Sequence, residues 1–194
     1  MKGVSHMSKV TWKPGTMLYP LPPVMVSCGT MENPNVITVA WTGIACSDPA
    51  MTYISVRPER YSYGLIKQTG EFVINLTTES LIWTADYCGV KSGRDIDKFA
   101  LGSITAAPAA QVSAPLIYES PLNIECRVDR ILQLGTHDMF LSKILAINAD
   151  DKLIDAKGVL HLEKAGLVAT SHGKYFALGR QLGTFGYSVK KKKK

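Results

Sequence analysis

Residues 24–41 read Val24-Met25-Val26-Ser27-Cys28-Gly29-Thr30-Met31-Glu32-Asn33-Pro34-Asn35-Val36-Ile37-Thr38-Val39-Ala40-Trp41. Two short runs rich in β-branched residues flank the turn-forming Glu32-Asn33-Pro34-Asn35, and such side chains pack well on a pleated surface. The stretch predicts a β-hairpin pairing 24–28 with 36–41. Upstream, Tyr19-Pro20-Leu21-Pro22-Pro23 forces extended backbone into the first strand. Downstream, Met51-Thr52-Tyr53-Ile54-Ser55-Val56 follows the turn Ser47-Asp48-Pro49, and Glu71-Phe72-Val73-Ile74-Asn75-Leu76 follows Gly70. Residues 122–134 alternate Ile124, Cys126 and Val128 with Glu125, Arg127 and Asp129, and 139–147 is a second long strand candidate across the turn Gly135-Thr136-His137-Asp138.

Only two helices are expected in the first half, and both are short. One covers 61–69 and stops before Gly70; the other covers 80–88, capped by Thr77 or Thr78 and ending at Gly89. Many closely spaced strands with few helices argue for an antiparallel barrel or sandwich and against alternating βαβ units. The last forty residues are the least patterned: Leu160-His161-Leu162 is a candidate strand, and Gly179, Gly183 and Gly186 make the end turn-rich.

The composition is that of a folded domain. The chain has 194 residues, 46% hydrophobic and 20% charged, with 22 Lys+Arg against 16 Asp+Glu and a formal net charge of +6. Five of the cations form the terminal run Lys190 to Lys194, and without them the balance is nearly even. A face that neutralises nucleic-acid phosphates needs clustered Lys and Arg, and no such cluster precedes residue 190. Nucleic-acid binding by the body is not expected. No apolar run approaches the roughly 20 residues of a membrane span, and the first residues lack the apolar core of a secretory signal, so a cytoplasmic protein without membrane partners is expected. Cys28, Cys46, Cys88 and Cys126 are scattered, which suggests reduced thiols, most of them in the core. The division expected is an irregular N-terminal segment 1–18, one domain over 19–189, and the lysine tail 190–194.

Several common sites are absent. There is no G-x-G-x-x-G after a strand, no P-loop, no H-E-x-x-H and no G-x-S-x-G. His6, His137, His161 and His172 are too dispersed for a zinc cage, so no metal site is expected.

Three segments carry more information. Asn35-Val36-Ile37-Thr38-Val39-Ala40-Trp41-Thr42, then Ser55-Val56-Arg57-Pro58-Glu59-Arg60-Tyr61-Ser62-Tyr63, then Cys88-Gly89-Val90-Lys91-Ser92-Gly93-Arg94-Asp95-Ile96-Asp97-Lys98-Phe99 occur in this order. Together they resemble the flavin reductase-like FMN-binding family, in its flavoredoxin-type branch, over about residues 19–147. The resemblance implies a mostly β fold: a split β-barrel of antiparallel, Greek-key-like strands with a few short helices, homodimeric, holding FMN without a covalent bond. It also implies a redox protein that passes electrons from NAD(P)H or a reduced redox protein through FMN to an acceptor. An FMN-binding module without reductase turnover is the alternative.

Residue by residue, the resemblance puts Asn35, Thr38, Val39, Ala40 and Trp41 along the isoalloxazine ring. Ser55, Arg57, Arg60, Tyr61 and Ser62 fall at a strand end and helix start, where unpaired N–H groups and the helix dipole favour a phosphate. Read without the resemblance, Arg57 and Arg60 are solvated loop charges. Ser92 and Lys98 are implied near the cofactor; otherwise 92–99 is a solvated turn capped by Asp95 or Asp97 and anchored by Phe99. His137 is implied beside the flavin, positioning the nicotinamide or acceptor. Trp41 reads by default as a core residue, and Cys46 as a small buried thiol or a residue facing the pocket.

Overall fold

A computed structural model describes residues 8–189. The lysine tail lies outside the described residues, as do residues 1–7. The expected hairpin is present as β1 (Val24–Gly29) and β2 (Pro34–Val39), with Val26 opposite Ile37. It is followed by β3 (Thr42–Ser47), β4 (Ala50–Val56), α1 (Tyr61–Thr69) and β5 (Glu71–Asn75). A short 3-10 turn, Glu79–Leu81, leads into α2 (Ile82–Val90). Then come the two-residue strands β6 (Ala106–Ala107) and β7 (Leu116–Ile117) and the long pair β8 (Leu122–Gln133) and β9 (Asp138–Ala149). A final hairpin joins β10 (Val168–Ser171) and β11 (Lys174–Ala177).

Seven strands form one antiparallel sheet in the order β2-β1-β5-β8-β9-β4-β3. β2 and β4 stand far apart in that order, yet Ile37 and Val39 share a core with Ile54, Val56, Phe72 and Phe140. The sheet therefore curls around its inner face. Its end strands β2 and β3 do not pair, which among the described residues leaves the barrel-like curl open along β2. α1 packs into the same core through Ile66 and ends at Gly70, whose φ of 68° suits a residue without Cβ and whose N–H returns to the Ile66 carbonyl.

β1 is buried along its whole length because both of its faces are covered. Val24, Val26 and Cys28 face the inner core, while Met25 packs with Val36, Leu81, Ala85, Cys88 and Ile117 under α2. This is why its sequence is a continuous apolar run and not an alternating one.

The structure corrects several expectations. α2 continues through Gly89 to Val90, and Thr78 spends its hydroxyl on Ser80 Oγ without capping a backbone N–H. β3 and the β10–β11 hairpin are additional strands. Leu160 makes only an isolated bridge to Ile154, and Leu162–Lys164 is a 3-10 turn, so no strand spans 160–162. Strict alternation along β8 would turn Glu125 outward with Arg127 and Asp129. That alternation holds, with Ile124, Cys126 and Val128 on the inner core, but the 110–111 segment covers Glu125, which is fully buried and whose carboxylate accepts from the N–H groups of Ala110 (2.9 Å) and Gln111 (2.6 Å) and from Asn148 Nδ2 (2.8 Å).

Candidate functional site

The chain leaves β4 through Arg57-Pro58-Glu59-Arg60 and enters α1 at once, so the start of α1 opens beside the free edge of β2. Arg60 occupies the N-cap in extended conformation and no side chain caps the helix. First-turn N–H groups and the positive end of the helix dipole thus face the space outside. The loop after α2 closes that space from the other side, leaving a cleft of ≈ 270 Å³ lined by Ile37, Arg57, Glu59, Arg60, Tyr61, Ser62, Lys91, Ser92, Gly93, Arg94 and Lys98, with Arg57 paired to Glu59 at 2.6 Å.

The loop is held by specific contacts. Arg94 donates to the Glu59 carbonyl at 3.1 Å and lies 5.8 Å from the Tyr61 ring centre, while Ser92 Oγ accepts from the Arg94 N–H. A Cβ on Gly93 would sit 2.2 Å from Asn35 Oδ1 and 2.8 Å from Tyr61 Cδ1, so only glycine lets the loop backbone come this close. Asp97 Oδ1 accepts from the N–H groups of Phe99 and Ala100, and Phe99 packs on the second core, as the solvated-turn reading of 92–99 expects.

The floor of the cleft is charged. Lys98 is 3% exposed, and its Nζ donates to the carbonyls of Val36 (2.7 Å) and Cys88 (2.9 Å). It thereby satisfies a carbonyl in the last turn of α2 and one on the edge of β2. No carboxylate pairs with it among the described residues. The nearby thiols supply no counter-charge, since burial raises Cys28 to about 11 and pushes Cys88 above its ordinary value. Burial also presses the Lys98 ammonium below the usual lysine value. Beside it, Asn35 Nδ2 donates to Ser62 Oγ at 2.7 Å.

The Lys98 bond also shows which backbone groups of β2 are free. If the Val36 carbonyl points away from β1, period two turns the Thr38 N–H and carbonyl the same way, along an edge no strand pairs with among the described residues. That edge runs from the cleft to a second recess of ≈ 420 Å³, lined by Ala40, Trp41, Tyr53, Ser55, Leu134, Met139 and residues 15–19. No charged side chain lines it. Trp41 is not a core residue: it follows the end of β2, is 45% exposed, and stacks on His137 with ring centres 5.7 Å apart at 20°. His137 Nδ1 lies 3.0 Å from Thr136 Oγ1, and the neighbouring Asp138 accepts from the Tyr63 hydroxyl at 2.7 Å.

Comparison with known proteins decides the family. The model of the flavin reductase like domain matches residues 16–166. The chain belongs to the flavin reductase like domain family. A protein of Archaeoglobus fulgidus is 33% identical over 140 residues, 72% of this chain and 78% of the relative. Among solved structures, the flavoredoxin of Desulfovibrio vulgaris (Miyazaki F) superposes with a TM-score of 0.86 at 29% identity, covering 94% of this chain and all of the other. The flavoredoxin of Methanosarcina acetivorans gives a TM-score of 0.85 at 24% identity over the same shares.

Within this flavin reductase-like chain the residues singled out from the sequence fall into two groups. Arg57, Arg60, Tyr61, Ser62, Ser92 and Lys98 meet at the cleft, with Asn35 beneath; Ala40, Trp41 and Ser55 meet at the apolar recess, with His137 against Trp41. Thr38 and Val39 have side chains committed to the interior: the Thr38 hydroxyl donates to the Ala85 carbonyl and Val39 packs in the inner core. Cys46 lines neither recess; its thiol donates to the Asp48 carbonyl. Gly93, Arg94, Leu134 and the wall formed by residues 15–19 escaped the sequence reading. For Gly93 the signal was a glycine inside a charged run, and for Leu134 its place at the mouth of the Gly135-Thr136-His137-Asp138 turn.

Proposed function

We propose that this protein binds FMN and passes electrons through it from a reduced donor, NAD(P)H or a redox protein, to an acceptor. The observation that carries this reading is Lys98. A buried ammonium whose partners are neutral carbonyls is costly, and an anion held above it in the cleft offsets that cost. The uncapped start of α1 and the Arg60 side chain add donors of the same sign, so the cleft suits the phosphate of a mononucleotide.

From that anchor the free edge of β2 leads over about 13 Å, four residues at about 3.3 Å each, to Ala40 and Trp41. Backbone groups there suit the polar rim of a planar ring, and the uncharged recess beyond suits its apolar body. Bound FMN would supply a ring that accepts and releases electrons; the chain would anchor its phosphate, orient the ring and shield one face from water. Trp41 and His137 form a stacked pair at the recess, and His137 would position the nicotinamide or acceptor without moving a proton. A homodimer belongs to the same proposal, with Trp83, Tyr87 and Val90 along the outer face of α2 as an apolar patch to meet a second copy.

Arg60→Ala with Ser62→Ala should weaken FMN binding at least about tenfold by flavin fluorescence titration, since charge-assisted phosphate bonds are among the stronger ones; unchanged affinity rejects the phosphate assignment. Rapid bleaching of the FMN-loaded protein by NADH or NADPH without oxygen identifies a reductase. Bleaching only by dithionite or a reduced protein identifies a carrier, and a chain that takes up no FMN ends the proposal. His137→Ala should slow reduction by nicotinamide and leave FMN bound.

A further inference from the structure

Tyr63 follows directly on Arg60, Tyr61 and Ser62, which line the cleft at the start of α1. Successive helix residues point about 100° apart, so its ring turns away from theirs. It meets Phe140 edge to face at 5.4 Å, lies under Lys67 Nζ at 5.8 Å, and its hydroxyl donates to Asp138 Oδ2 at 2.7 Å. Asp138 is 4% exposed and pairs across the sheet with Val56 on β4 and Gln133 on β8. Among the described residues no cation pairs with its carboxylate, so the Tyr63 hydroxyl supplies the hydrogen bond that a buried acid requires.

The residue before Asp138 is His137, and the chain in front of it is open. Residues 132–136 are exposed, His137 is half-buried, and Asp138 is the first buried residue behind the turn. The turn closes on itself through the Leu134 N–H on the His137 carbonyl at 3.1 Å. Outside it, His137 stacks on Trp41, which is itself 45% exposed and is no rigid stop. Met139, the next residue but one, lines the apolar recess and pairs with Ser55. Asp138 is thus the point at which the turn is fastened, and α1 is what it is fastened to.

We propose that Tyr63 is a positioning residue: through Asp138 it sets where His137 lies against Trp41 beside the apolar recess. This rests on the flavin reading above and adds that one helix serves both ends of the site. The start of α1 faces the phosphate, and its third residue fixes the side chain beside the ring. Without the hydroxyl a buried carboxylate loses its donor, turns toward water and draws His137 with it. The bond to Asp138 raises the phenol above the ordinary tyrosine pKa, so the hydroxyl remains a donor in mildly alkaline solution.

The test follows the imidazole ring proton of His137 by NMR of the full chain, with and without FMN, assigned by its loss in His137→Ala. At pH about 9 imidazoles are neutral, so its position reports geometry and not charge. Trp41→Ala gives the position without the stack. Tyr63→Phe should move the proton toward that position by at least about half of the difference. Asp138→Asn keeps an acceptor for the hydroxyl and should leave it close to the parent. Tyr63→Phe should bind FMN within about twofold of the parent and be reduced by nicotinamide about tenfold more slowly. With His137→Ala added it should be no slower than His137→Ala alone, since both changes act through one residue. An unmoved proton in Tyr63→Phe overturns the proposal, as does an equal displacement in Asp138→Asn, which would assign the effect to the charge of Asp138. If the stranded carboxylate prevents Tyr63→Phe from folding, the double variant with Asp138→Asn carries no buried charge and must show the same displacement. A chain that takes up no FMN ends the flavin reading, while the proton position without FMN still decides the role of Tyr63.

Discussion

Glu125 and Lys98 are both buried without an ion-pair partner among the described residues, and they are solved in opposite ways. Glu125 lies inside β8, where two N–H groups of the 110–111 segment and the Asn148 amide occupy its oxygens. These hydrogen bonds outweigh burial and hold its carboxyl below the usual range. Lys98 bonds only to two neutral carbonyls, and its charge lies under an open cleft. The first charge is consumed by the protein's own backbone and fixes a loop; the second is left available to something outside. A buried charge thus reads as structural when donors or acceptors close around it, and as a binding element when one side of it remains open.

The contrast can be broken from either side. Glu125→Ala should have the largest effect, because it strands three buried donors at once: a loss of about 3 kcal/mol or more in denaturant unfolding, with FMN affinity of the folded fraction unchanged. Gly93→Ala comes next. Its Cβ collides with Asn35 and Tyr61, so a cost of about 1 to 3 kcal/mol is expected together with weakened FMN binding, because the loop must retreat from the cleft. Lys98→Met should separate the two roles: it leaves the Val36 and Cys88 carbonyls without this donor, a cost that removal of an unpaired buried charge partly offsets, so it should destabilise less than Glu125→Ala, while FMN affinity should drop about tenfold or more. Equal losses of stability for Lys98→Met and Glu125→Ala would erase the distinction.

The smallest effect is expected at His161, which lies between Asp155 (3.1 Å) and Glu163 (3.0 Å) on the surface. The bond to Asp155, then that to Glu163, raises the histidine pKa, so its contribution is complete below the ordinary histidine range and lost as pH rises through the raised value. The N–H of Val159, then His161 itself, lower Asp155 to about 2, so that contribution is present above the ordinary aspartate range and lost as pH falls toward about 2. Thermal melts of His161→Ala should therefore differ slightly from the parent near pH 5 to 6 and converge with it near pH 9, the difference staying small because solvent screens the pair.

Much of the fold was legible because apolar runs and turn residues agree. The hairpin 24–41, the helix 61–69 and the long strands after residue 122 all follow from period and punctuation. β3 was not legible: Thr42-Gly43-Ile44-Ala45-Cys46-Ser47 lies on the sheet edge, largely open to solvent, and carries no alternating pattern. The β10–β11 hairpin turns on His172-Gly173, both with positive φ, a signal hidden by the shortness of its strands. Glu125 escaped because its period-two position is that of an outward residue, and only tertiary structure brings the 110–111 segment over it. At the site, the helix start at Arg60 was visible from residue types alone. The floor was not, since the distance from Lys98 to the Val36 carbonyl spans 62 residues of chain and depends on tertiary structure.

Lys98 also stands where another chain would bind. β2 is an edge that no strand pairs with among the described residues, and such edges are templates for the strands of neighbouring molecules. The ammonium on the Val36 carbonyl takes one of the acceptors that an incoming strand needs and plants a cation in its path. A protein stripped of that side chain has therefore lost a gatekeeper, and insoluble assembly on storage is the outcome to watch for in every preparation of the variant.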